Sequence, residues 1–253
     1  MPKSKPQSEA RLWAIVPAAG IGRRMGGDIP KQYLPLNGKT VIEHTLHKLS
    51  TIKELAGIIV AIAEDDPYWP KLHVDVGTPI TVVKGGEERC HSVLNAMAHL
   101  QSHCQSDDWI LVHDAARPCV LPSDLHQLVS TLSDHDVGGL LGIPVRDTMK
   151  RANKDGQVQK TVEREGLWHA LTPQMFRFQM LYHALSSALE KKQLVTDEAS
   201  AIELAGFSPK MVEGHSDNIK ITRPEDLTLA GFYLQHQAEQ ELLANVDGLQ
   251  DGG

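Results

Sequence analysis

Four clusters along this 253-residue chain carry residue types that can do chemistry, and the first three each follow a short apolar run. The first is Pro17-Ala18-Ala19-Gly20-Ile21-Gly22-Arg23-Arg24, with Pro30-Lys31-Gln32-Tyr33 close behind. Small residues let backbone N–H groups approach phosphate oxygens, and the cations add charge for an anion. The second is Gly85-Gly86-Glu87-Glu88-Arg89 through Ser92, where two glycines permit close approach and a carboxylate or backbone group can read a base edge. The third is His113-Asp114-Ala115-Ala116-Arg117-Pro118. An Asp beside two alanines suits a Mg²⁺ shared with substrate phosphates, since that ion takes one or two protein carboxylates and fills its other positions with water and phosphate. The fourth is Asp217-Asn218-Ile219-Lys220, ahead of Pro224. It offers a second carboxylate and another cation.

The clusters lack other chemistries. No GxSxG occurs, and no Cys sits in an active-site context. Gly20-Ile21-Gly22 lacks the third glycine of a dinucleotide fingerprint, and the stretch that would supply its ribose-binding acid about 20 residues later is a helical pattern at Val41. The GxxxxGK[ST] phosphate loop is also absent. Cations with one or two carboxylates match phosphoryl or nucleotidyl transfer, which needs positioning and charge neutralisation more than a protein nucleophile.

The elements that position these clusters follow from periodicity. Apolar runs at 12–16, 57–63, 80–83, 109–113 and 138–144 suit strands buried on both faces, as in a parallel sheet. Helical spacing links Val41, Ile42, Thr45, Leu46 and Leu49, then Val93, Leu94, Met97 and Leu100, then Leu125, Leu128, Val129 and Leu132. Strands alternating with helices make βαβ units, and open α/β sheets bind ligands at the carboxyl ends of their strands. The stretch 146–172 breaks the rhythm. It is polar, with Asn153-Lys154-Asp155-Gly156 as a hairpin turn between arms near 148–151 and 158–162. So polar a hairpin is not stable alone, and a partner subunit is a natural support.

Composition bounds the rest. With 25 Lys+Arg against 32 Asp+Glu the net charge is −7, which argues against a dedicated nucleic-acid binder. No apolar run approaches the roughly 18–20 residues of a membrane span, and the polar start of the chain has no signal-like core. Cys90, Cys104 and Cys119 lack metal-site spacing and read as reduced thiols of a cytoplasmic protein. Residues 1–10 are expected to be a disordered extension, 11–240 one domain, and 241–253 a flexible tail.

Taken together, Pro17-Ala18-Ala19-Gly20 with Gly22 and Arg24, Pro30-Lys31-Gln32-Tyr33, His113-Asp114-Ala115-Ala116-Arg117-Pro118, Pro144-Val145-Arg146-Asp147-Thr148, Thr172-Pro173-Gln174, Thr196-Asp197-Glu198-Ala199 and Asn218-Ile219-Lys220 resemble the 2-C-methyl-D-erythritol 4-phosphate cytidylyltransferases, in order over nearly the whole chain. The resemblance implies a Rossmann-like nucleotidyltransferase fold with an extended β-arm exchanged across a homodimer. It implies Mg²⁺-dependent transfer of CMP from CTP to methylerythritol phosphate, a step toward isoprenoid precursors. It also implies roles. Arg24 and Lys31 hold the triphosphate. Ala18, Ala19, Gly20, Gly22 and Ala115 give nucleotide contacts, while Gly86, Glu87 and Ser92 recognise the cytosine. Glu87 stands where relatives often carry Asp. Asp114, with Asp217 beside it, serves the metal. Arg117, Thr148, Thr196 and Lys220 bind the polyol phosphate, and Arg164 and Thr172 reach it from the partner's arm.

Overall fold

The computed structural model describes residues 10–20 and 29–250. Seven strands form the central sheet, in the order β11 (Lys210–Glu213), β7 (Gly138–Pro144), β10 (Trp168–Arg177), β6 (Trp109–Val112), β1 (Leu12–Pro17), β4 (Leu55–Ile62), β5 (Ile80–Lys84). Pairing is parallel between β1 and β4, β1 and β6, β4 and β5, and β7 and β11. Only β10 runs against its neighbours, β6 and β7. The fold is therefore α/β with a mostly parallel sheet, as the apolar runs imply.

Helices cover both faces. Leu12, Ala14 and Val16 of β1 point to the side packed by α1 (Val41–Leu49) and α3 (Pro122–Leu132). Ile15, between them, faces α2 (Arg89–Leu100), α4 (Phe178–Glu190) and α5 (Glu198–Leu204). This two-sided burial is why β1, β4 and β6 read as continuous apolar runs rather than alternating ones. The run at 80–83 differs: β5 is the sheet edge, and Val82 is exposed. Local signals fix the helix starts. Thr40 and Glu43 form a capping box on α1, and Asp197 caps α5 by accepting from the Ser200 N–H.

Two boundaries depart from the sequence reading. The polar hairpin is present, as β8 (Met149–Ala152) and β9 (Val158–Val162), a separate two-stranded sheet. Its turn is closed by Asn153, whose side-chain oxygen accepts from the N–H groups of Asp155 and Gln157, with Gly156 at φ 80°. The arm stops short of 172, however, because Trp168 already pairs with Pro144 in the central sheet. Phe176, fully buried against the layer of α2, α4 and α5, makes that strand part of the core. The second departure is α6 (Pro224–Gln250), which continues through 241–250 where a tail was expected. That stretch is rich in helix formers with no Pro to end it, although Leu242 and Leu243 remain exposed. A short β2 (Pro35–Leu36) and β3 (Lys39–Thr40) ladder packs near α6, through Leu36, Ala230 and Leu234.

Candidate active site

The loops after β1, β5, β6 and β11 all leave one edge of the sheet. Because β10 is antiparallel, its first half lies at that same edge: Gln174 pairs with Val112, the last residue of β6. Two adjoining clefts open there.

The first cleft, of about 150 Å³, is lined by Ala18, Ala19, Gly20, Lys31, Gly86, Glu87, Ser92, Asp114, Ala115 and Lys220, among others. Lys31 lies on a single helical turn, Lys31–Tyr33, and its Nζ donates to the Ile221 carbonyl at 2.7 Å. Next to it, buried Gln32 ties the loop after β1 in place, donating to the carbonyls of Ala18 at 2.7 Å and Gly20 at 3.1 Å. The Gly86 N–H donates to buried Ser92 Oγ at 3.0 Å, which orders the glycine turn. That turn cannot be other than glycine: a Cβ on Gly85 would lie 2.5 Å from the Ala19 Cβ, and one on Gly86 would meet His91.

Asp114 is the electrostatic centre. Its carboxylate accepts from Arg89 Nε at 2.8 Å and from Lys220 Nζ at 2.8 Å, and Arg117 Nε stands 3.5 Å away. Burial alone would push its carboxyl up. The guanidinium of Arg89, with Lys220 and Arg117, instead holds it well below the usual carboxylate range, so it is ionised. Arg89 also pairs through both Nη groups with buried Glu198, at 2.7 and 2.9 Å. Burial works against the guanidinium charge, but Glu198 and Asp114 raise its pKa and keep it a cation.

His113 holds the backbone under Asp114. It is fully buried, and burial lowers its pKa to about 4. A neutral ring protonated at Nε2 satisfies every contact: Nε2 donates to the Arg117 carbonyl, and Nδ1 accepts from Thr172 Oγ1, each at 3.0 Å. Thr172 Oγ1 in turn accepts from the Asp114 N–H at 3.1 Å.

The second cleft, of about 180 Å³, is lined by Arg89, Asp114, Arg117, Thr172, Thr196, Asp197 and Lys220, among others. The fourth cluster reaches it because Asn218 donates to the Thr172 carbonyl at 2.8 Å and accepts Arg117 Nη1 on its own carbonyl at 2.6 Å. A larger groove lies at the far edge, where Arg177 stacks 3.7 Å over Trp109 at the start of β6. It is lined by mixed charges, among them Asp107, Asp136 and Lys191.

Most of the residues singled out in the sequence thus converge on this edge. Some do not. Gly22 and Arg24 lie outside the described residues. Thr172 belongs to the chain's own β10 beside its own Asp114, rather than to a reaching arm, since the central strand begins before it. Asp217 lines neither cleft; its carboxylate turns to α6 and accepts from Gln237 at 3.1 Å. Thr148 and Arg164 sit exposed on the arm and line neither cleft, Arg164 donating to the Arg146 carbonyl. Two residues were overlooked, Arg89 and Glu198. Arg89 lies in the second cluster and Glu198 in the Thr196-Asp197-Glu198-Ala199 motif, 109 positions apart in sequence, and only the fold brings them into contact.

Clefts at the carboxyl ends of parallel strands, lined by cations, an ionised aspartate and a glycine turn, define an α/β protein of the nucleotidyltransferase class. Residues 12–236 match the family model described as 2-C-methyl-D-erythritol 4-phosphate cytidylyltransferase, and the chain belongs to that family. It is 54% identical over 226 residues to the enzyme so named in Vibrio atlanticus, covering 89% of this chain and 96% of that one. With the Pseudomonas entomophila relative the identity is 56% over 217 residues, 85% of this chain and 92% of the other. The crystal structure of the Francisella tularensis enzyme superposes with a TM-score of 0.76 at 38% identity, covering 88% of this chain and all of that one.

Proposed function

We propose that the chain transfers CMP from CTP to 2-C-methyl-D-erythritol 4-phosphate, releasing pyrophosphate, in the non-mevalonate route to isoprenoid precursors. The observation that carries this is the ionised Asp114 among Arg89, Arg117 and Lys220, between a glycine-walled cleft and a second, more polar one.

In this reading the first cleft takes CTP. Backbone groups at Ala18, Ala19, Gly20 and Ala115 line the nucleotide, and Gly22 is assigned to it from the sequence pattern alone. Gly86, Glu87 and Ser92 face the cytosine, and Arg24 and Lys31 face the triphosphate. The second cleft takes the polyol phosphate between Lys220, Arg117, Thr172 and Thr196. Arg117 acts mainly by holding the loop, since its Nη1 is committed to the Asn218 carbonyl. The acceptor phosphate is already ionised near neutral pH. It attacks the α-phosphorus in line as pyrophosphate leaves, and no general base is needed. The protein's work is to hold two anions together and offset their charge.

The donor set fits one divalent cation. Asp114 is ionised, and its contacts with Arg89 and Lys220 leave lone pairs on both oxygens. Mg²⁺ held by a single carboxylate, with triphosphate oxygens in other positions, would neutralise charge on the phosphates. Asp217 is not needed for this.

We further propose that residues 11–240 act as one domain within a homodimer, in which the β8–β9 arm of each chain carries Arg164 and Thr148 toward the other chain's site. Among the described residues no helix is long and apolar enough to cross a membrane. A cytoplasmic location fits three unpaired thiols. The direct test is pyrophosphate release with CTP, methylerythritol phosphate and Mg²⁺, run beside ATP, GTP and UTP. Release with CTP alone among the four is expected, and equal release with all four would refute the base-reading role of the glycine turn.

A further inference from the structure

Three side chains, Arg89, Asp114 and Lys220, line both clefts. Of these, Arg89 is the one whose donors are divided between elements on opposite sides of the boundary. Its Nε reaches Asp114 at the end of β6, and its two Nη groups reach Glu198 in the first turn of α5. Arg89 itself opens α2, directly after the glycine turn of the first cleft. Thr196 and Asp197, directly before Glu198, line the second cleft. The start of α5 is pinned as well: Gln174 of β10 donates to Asp197 at 2.9 Å and accepts from the Ala199 N–H at 2.8 Å.

A guanidinium is a rigid plane with five donors. Fixed at Nε by one carboxylate and at both Nη groups by another, it has no rotational freedom left. The Glu198 side chain is 1% exposed, so water does not substitute for it.

We propose that Glu198 is a positioning residue that couples the two clefts: by occupying both Nη groups of Arg89 it holds the loop before α2 and the loop before α5 at one spacing, so that a ligand in either cleft prepares the other. The inference rests on the assignment of CTP and polyol phosphate to the two clefts. Without Glu198 the Nη fork is free to turn onto Asp114 as a bidentate pair, competing with Lys220, and α5 loses its tether to α2. A lysine at position 89 keeps the charge but presents a single ammonium, which does not span two carboxylates in a fixed plane.

The test is calorimetric binding of α,β-methylene CTP with Mg²⁺, with and without saturating methylerythritol phosphate. The wild-type protein should bind the analogue at least about 5-fold more tightly when the acceptor is present, a normal size for coupling between two sites. In Glu198→Gln that ratio should fall to within about 2-fold of unity, while the analogue's own Kd without acceptor stays within about 3-fold of wild type. Steady-state kinetics should show the KM for the acceptor rising more than that for CTP. Arg89→Lys should likewise bring the ratio to within about 2-fold of unity, whatever its effect on the analogue's own Kd, and it carries the test if Glu198→Gln does not fold. A wild-type ratio of one, or a folded variant of either kind that keeps the full ratio, overturns the coupling while leaving the cleft assignment intact. Failure of the wild-type protein to bind the analogue at all contradicts the cleft assignment and the coupling with it.

Discussion

The ammonium of Lys31 lies in the nucleotide cleft, on a short helical turn whose next residue, Gln32, fastens the loop after β1. In the proposed reading it offsets phosphate charge. Lys31→Ala should lower kcat/KM by about 10²–10³, the usual effect of losing one charge-stabilising donor. Steady-state kinetics with CTP varied measures it, and turnover near wild type would remove Lys31 from the site. This residue was legible in the sequence, as were Asp114, Lys220 and the glycine turn, because each directly follows a strand-like run or opens a recognisable turn. Arg89 and Glu198 were not legible as a pair. Nothing local distinguishes a buried Glu at a helix start from an ordinary first-turn acid, and their contact depends on β10 and α5 packing beside α2. Asp217 shows the converse: its loop reaches the site, but its side chain turns to Gln237, which no local pattern signals.

At the scale of elements, β10 organises the site. It separates β6 from β7, turns Thr172 under Asp114, and anchors α5 through Gln174. Phe176 fixes it to the α2, α4 and α5 layer. Phe176→Ala should destabilise the protein by about 3–5 kcal/mol, as truncating a fully buried aromatic does, with thermal or urea unfolding as the measure. A loss under about 1 kcal/mol would mean that the strand is held from elsewhere. The parallel strands and helices α1 to α3 could be read from periodicity, because burial on both faces writes itself as continuous apolar runs. The β10 strand could not. Its start, Trp168-His169-Ala170, gives no continuous apolar run to set it apart from the arm, and Pro173 interrupts the pattern before Met175 and Phe176. The C-terminal helix beyond 240 was obscured in the same way, by polar residues that favour a helix without marking a buried face.

For the whole molecule, the net charge of −7 conceals a concentration of cations at one sheet edge. Arg89, Arg117, Lys220 and Lys31 gather there among carboxylates, with Asp114 and Glu198 paired to the cations and Glu87, Glu88 and Asp197 also at the clefts. An arm that lines neither of its own chain's clefts, yet carries Arg164, fits the proposed exchange between two copies. Mixing Lys31→Ala and Arg164→Ala chains should then restore about a quarter of wild-type activity, since half the dimers are mixed and each regains one intact site. No recovery after subunit exchange would place Arg164 outside the partner's site. All of this depends on the reaction itself. The decisive measurement is product analysis after incubation with CTP, Mg²⁺ and either methylerythritol phosphate or ribitol phosphate. The account predicts cytidine diphospho-methylerythritol and pyrophosphate in equal amounts with the first acceptor. Product only with ribitol phosphate, or none with either, would contradict it.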